Sequence, residues 1–114
     1  MPVASGAAKT AAGVKAILDE LAQRLPDTKV LLLGIFPRGA TQDDPLRKLN
    51  TAINKILATY HDGDRVHYLD ISETFLDDNG TLPKSIMPDL LHPNTQGYQL
   101  WADAMEGKIA ELMK

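Results

Sequence analysis

Val30-Leu31-Leu32-Leu33-Gly34-Ile35-Phe36 constrains this chain more than any other segment. The run lies between Pro26-Asp27-Thr28 and Pro37-Arg38-Gly39, too short for a packed helix and without the alternation of a strand that has one wet face. It reads as a strand covered on both sides, the pattern of a central member of a parallel sheet. A central strand needs a neighbour at each edge. The sequence offers at most one, Val66 to Ile71, so the chain is expected to be part of a larger sheet.

Helical periodicity surrounds these two strands. Val14, Ile17, Leu18, Leu21 and Leu25 mark one apolar face, ended by Pro26. Asp44 followed by Pro45 reads as a capped helix start, with Leu46, Leu49, Ile53, Ile56, Leu57 and Tyr60 on the buried side. Asp62-Gly63-Asp64 closes that helix. A long irregular stretch from Ser72 to His92 precedes a last helix, capped by Asn94 or Thr95, with Tyr98, Trp101, Met105, Ile109 and Leu112 on one face. The order predicts α/β layering with two parallel strands and three main helices, one unit spanning 1–114.

Composition narrows the function classes. At 44% hydrophobic and 24% charged residues the chain has ordinary globular usage. Its net charge of −3 gives no electrostatic basis for nucleic acid as a partner. No apolar run reaches the roughly 18 residues of a membrane span. Met1 to Ala8 lacks the basic start and long apolar stretch of a signal peptide, so the sequence assigns no compartment. There is no cysteine, and the three histidines are scattered, so neither a metal centre nor a cofactor is expected.

The chemistry concentrates at the end of the long loop, in Met87-Pro88-Asp89-Leu90-Leu91-His92-Pro93-Asn94. Residues three apart in a turn can lie side by side, so the carboxylate of Asp89 can accept a hydrogen bond from His92 Nδ1–H. That bond selects the tautomer and leaves Nε2 free to take a proton. Pro93 biases His92 toward extended backbone, and Leu90 and Leu91 are expected to anchor the turn. Asp-x-x-His alone is also what an ordinary turn before a helix can look like.

The flanking residues carry more. Asp89-Leu90-Leu91-His92-Pro93-Asn94-Thr95-Gln96-Gly97-Tyr98-Gln99-Leu100-Trp101-Ala102 resembles the last block of the SGNH/GDSL hydrolases, an Asp-x-x-His followed by a helix with Gly-Tyr and Trp-Ala. Leu31-Leu32-Leu33-Gly34-Ile35-Phe36-Pro37-Arg38-Gly39, then Pro45-Leu46-Arg47 with Asn50 and Asn54, is similar to the branch holding the platelet-activating-factor acetylhydrolase catalytic subunits. Tyr68-Leu69-Asp70-Ile71 leading to Gly80-Thr81-Leu82-Pro83 falls between them in the right order. The resemblance implies a three-layer α/β/α domain with a five-stranded parallel sheet that hydrolyses esters through a Ser–His–Asp triad. By matching positions His92 is the implied general base and Asp89 its orienting partner. The implied nucleophile sits in an early Gly-Asp-Ser, and that motif and the oxyanion donors map to no position here, as expected of a C-terminal portion.

Two functions of different class follow. One is a serine carboxylic ester hydrolase portion, acting on small acyl esters when completed by its N-terminal half and inactive alone. The other is a noncatalytic module that self-associates or binds a complementing chain through the edge of 30–36. Arg38, just past a strand end, is a candidate substrate contact, with a bond to loop carbonyls or a carboxylate as its plainer role. Asn50 and Asn54 are expected to tie their helix to nearby loops, Asp70 to fix a loop, and His61 and His67 to be structural. Ser5, Ser72 and Ser85 occupy no strand-to-helix elbow that would make one a replacement nucleophile.

Overall fold

A computed structural model describes residues 3–113, with side chains from Gly6 onward. Helix α1 covers Val3–Arg24, strand β1 Val30–Leu33, α2 Pro45–Ala58, β2 Val66–Leu69 and α3 Thr95–Leu112, with a 3-10 turn at Ser72–Phe75. The strands pair in parallel, Val30 opposite Val66 and Leu33 opposite Leu69. The expected α/β order is therefore present, as a two-stranded sheet and three main helices.

Both strands are shorter than the 30–36 and 66–71 expected from the sequence. The ladder makes one bond beyond β1, from Gly34 N–H to the Leu69 carbonyl at 2.9 Å. Then a side chain takes over. Asn54 Oδ1 accepts from Ile35 N–H at 2.7 Å and its Nδ2 donates back to the Ile35 carbonyl at 2.9 Å. In β2 the turn begins at Asp70, whose Oδ1 accepts from Ser72 N–H at 2.8 Å.

The two edges of this sheet differ. At β2, Asp62 Oδ1 accepts from the N–H groups of Asp64, Arg65 and Val66, and Tyr68 N–H donates to His61 Nδ1 at 2.9 Å. Those bonds close the edge. At β1 the parallel ladder turns Leu31 and Leu33 outward, and their backbone groups have no partner outside the strand among the described residues.

Apolar side chains form a cluster on each face of the sheet. On one, Ala7 and Ala11 of α1 meet Ile53 and Leu57 of α2 over Leu32 and Tyr68. On the other, Ile71, Phe75, Leu82, Ile86 and Met87 pack with Leu69, Phe36, Leu100 and Trp101. Successive residues Tyr68 and Leu69 thus serve opposite layers, as strand geometry requires. No helix among the described residues is long and apolar enough to cross a membrane.

Several expected core positions are corrected. In α1 the buried line runs through Ala7, Ala11 and Leu18, while Ile17 is 61% and Leu25 51% exposed. Ile17 lies about 100° round the helix from that line, and Leu25 falls past the helix end. In α2 Leu46 is exposed and its neighbour Arg47 is buried. In α3 Tyr98 and Ile109 are exposed, because Leu100, Trp101, Ala104 and Met105 form the stripe against the core. The Ser72–His92 stretch is irregular as expected, yet four of its residues, Phe75, Leu82, Ile86 and Met87, are core.

Candidate active site

The turn between Met87 and Asn94 is built from below. Ile86 and Met87 are buried, Leu90 N–H donates to the Met87 carbonyl at 2.9 Å, and Asn94 N–H to the Ile86 carbonyl at 2.8 Å. Asn94, not Thr95, caps α3: its Oδ1 accepts from Gly97 N–H at 3.0 Å, and its Nδ2 donates to the Ser85 carbonyl at 2.6 Å. Gly97 permits the close approach. A Cβ there would lie 2.7 Å from Pro93 Cβ and 2.9 Å from the Ile86 carbonyl. Leu90 has φ +60°, the left-handed region that a branched hydrocarbon side chain rarely occupies. Such backbone persists only where its surroundings hold it.

In this turn the two carboxylate oxygens of Asp89 divide the work. Oδ1 accepts from the N–H groups of Leu91 at 3.0 Å and His92 at 2.7 Å. Oδ2 faces His92 Nδ1 at 2.6 Å. An ionised carboxylate only accepts, so the imidazole must donate from Nδ1, which leaves the Nε2 lone pair available to a proton. The imidazole bond first, and the backbone N–H bonds of His92 and Leu91 with it, hold the Asp89 carboxyl well below the usual carboxylate range. Both side chains are more than half exposed, so a reacting group could reach them. Leu90 packs on the core as an anchor, whereas Leu91 is exposed and is not one.

The other candidates fall elsewhere. Arg38 is half-buried, and its side chain makes no hydrogen bond or ion pair among the described residues. Asn50 Nδ2 donates to the Phe36 carbonyl at 3.2 Å, and Asn54 holds Ile35 as described, so both tie α2 to the end of β1. His67 is buried, with Nε2 3.0 Å from the Asp64 carbonyl. Ser72 Oγ is directed at the Ile35 carbonyl, and among the described residues no bond links Ser72 or Ser85 to His92. The side chain of Ser5 lies outside those described. No group of three metal-ligating side chains occurs among the described residues. A cleft of 610 Å³ beside α2 is lined by Ile35, Asn54, Lys55, Tyr68 and Asp70 among others, and includes neither Asp89 nor His92.

Sequence reasoning missed Arg47 as more than part of a motif. Its guanidinium is buried and donates to four carbonyls, those of Gly39 at 2.8 Å, Gly80 at 3.0 Å, and Arg38 and Ala40 at 3.3 Å. The plain role considered for Arg38, satisfying loop carbonyls, belongs to this neighbour. A signal existed: Arg47, Asn50 and Asn54 form a polar line at helical spacing on a face that must meet the strand ends.

Three comparisons bear on this geometry. Residues 3–100 match the model of the GDSL-like Lipase/Acylhydrolase family. The chain is 32% identical over 102 residues to the human platelet-activating factor acetylhydrolase IB subunit alpha1, covering 89% of this chain and 44% of that protein. The rat alpha2 subunit is 30% identical over 109 residues, 95% of this chain and 47% of that protein. A solved structure from Streptococcus pneumonia, described provisionally as a platelet activating factor, superposes with a TM-score of 0.70 at 20% identity over 90% of this chain and 51% of that one. That superposition shows a shared fold. The chain spans about half the length of the relatives it matches.

Proposed function

Because the chain belongs to the GDSL-like lipase/acylhydrolase family, we propose that it is the Asp–His-bearing portion of a single SGNH-type domain that hydrolyses small acyl esters. The observation that carries the reading is the 2.6 Å contact of Asp89 Oδ2 with His92 Nδ1. In this reading His92 Nε2 accepts the proton of a serine hydroxyl as that oxygen attacks the ester carbonyl, then returns it to the leaving alcohol. Asp89 holds the tautomer and stabilises the imidazolium between the two transfers. Platelet-activating-factor acetylhydrolase subunits among the relatives point to short acyl groups, acetyl first.

Acyl transfer also needs a nucleophile and donors aimed at the developing oxyanion. The 114 residues contain no Gly-Asp-Ser, and the chain by itself is proposed to be inactive. The test is complementation: the chain refolded with a separately made segment of a family relative that carries Gly-Asp-Ser, assayed with an aryl acetate. Hydrolysis by the mixture and by neither part alone is the expected result. A mixture that assembles into a folded complex and leaves the acetate intact sinks the proposal.

The edge at Leu31 and Leu33 favours a second reading that is compatible with the first. Unpaired strand groups invite a strand from a complementing segment or from a second copy. Light scattering of the chain alone is expected to show a dimer or larger species, and a stable folded monomer at high concentration rejects self-association.

A further inference from the structure

We infer that Arg47 is a positioning residue for the Asp89–His92 pair, acting through the Gly39 loop, an inference that rests on reading that pair as the orienting and proton-accepting groups. Arg47 sits in the first turn of α2, 5% exposed, with no carboxylate in an ion pair with it among the described residues. A buried cation without a paired anion is an unusual element to keep in a fold, and here carbonyl oxygens replace the lost water. The planar fork of donors reaches both the 38–40 loop and Gly80, which a single ammonium could not do in one geometry.

What that clamp holds is connected to the turn. Arg47 Nη2 donates to the Gly39 carbonyl at 2.8 Å, and Gly39 N–H donates to the Leu90 carbonyl at 3.2 Å. Leu90 is the residue between Asp89 and His92 whose backbone is left-handed. Gly39 is itself at φ +81°, and a Cβ on it would meet Asp44 within 2.6 Å, so the loop has little freedom to reach Leu90 in another way. On the Gly80 side, Leu82 N–H bonds the Ala40 carbonyl at 2.8 Å and fastens the loop to the core. Arg47 therefore fixes the backbone that supports Leu90, and Leu90 sets the angle at which Asp89 and His92 meet. Burial is the main cause lowering its guanidinium pKa, with Asp44 opposing, in keeping with a cation held by neutral carbonyls.

The experiment is NMR of the carbon- and nitrogen-labelled 114-residue chain and of R47M and R47K, reading the Asp89 carboxyl titration and the strong intraresidue HN–Hα NOE of a left-handed Leu90. Unchanged methyl resonances of Ile53 and Leu57 establish that the α1–α2 layer is intact in each variant. The expected result is that R47M moves the Asp89 midpoint up toward about 4, the ordinary carboxylate value, and weakens the Leu90 NOE, with R47K intermediate. If R47M does not fold, R47K is read by the same two signals. An Asp89 midpoint and a Leu90 NOE that stay at wild-type values in a folded variant overturn the role of Arg47. A wild-type Asp89 that titrates in the ordinary range instead removes the pair itself, so the two failures are distinguishable.

Discussion

Tyr68 closes over Gly34: a Cβ on residue 34 would lie 2.6 Å from the tyrosine hydroxyl, 3.2 Å from Asp70 Cγ and 3.3 Å from Asn54 Nδ2. Three polar side chains thus converge where β1 leaves the sheet, and the glycine makes room for them. G34A is expected to destabilise the chain by about 1 to 3 kcal/mol, the usual range for overpacking. Urea unfolding of G34A and G34A/Y68F checks this, since removing the hydroxyl should recover part of the loss.

The same contact governs a titration. Burial, then the nearby Asp70 carboxylate, pushes the Tyr68 hydroxyl up to about 12. A folded-state value above the unfolded one favours the neutral phenol, so its contribution to stability is full below about 10 and is lost as pH rises toward 12. Ultraviolet titration of the phenolate band should show one tyrosine ionising late, and D70N should bring that step to lower pH. A wild-type curve in which all three tyrosines ionise together contradicts it.

Asn54 stands in for a neighbouring strand at Ile35. N54A leaves the half-buried Ile35 N–H unpaired and its carbonyl with only the Ser72 hydroxyl at 3.5 Å, an expected loss of about 2 kcal/mol. The urea midpoint should fall with an unchanged slope, because the surface exposed on unfolding stays the same.

The depressed Asp89 carboxyl makes stability fall in acid. Its contribution is present above the unfolded value of about 4 and disappears as pH drops through the lower folded value. The stability gap between wild type and D89N should therefore shrink below pH ~4. Urea midpoints measured at a series of pH values test this, and a gap independent of pH would show that the carboxylate is not held in the folded turn.

In the complemented enzyme, H92A is expected to lower aryl acetate hydrolysis by at least about a thousandfold, and D89A by a comparable factor. The two losses should not add in the double variant, because the pair acts as one device. Full additivity would mean that the residues work separately.

Local pattern was enough for the elements and for the Asp89–His92 contact. Helical spacing, the Asp44-Pro45 start and the breakers around 26 and 37 are signals carried within a few residues, and so is a turn in which position 89 reaches position 92. The apolar run at 30–36 likewise announced a strand with an edge left over, although only Val30–Leu33 of it is strand.

Partnerships between distant segments were decided by the tertiary structure. Which α2 polar group meets which carbonyl depends on how the 38–40 loop, Gly80 and the end of β1 arrive beside that helix, and nothing local to Arg47 or Asn54 states it. The same holds for Phe75, Leu82 and Met87, whose stretch has no periodicity because its residues are buried by what packs on them. Short-range geometry follows from covalent spacing. The desolvation of a side chain is set by the sum of its neighbours, and those are known only once the chain has folded.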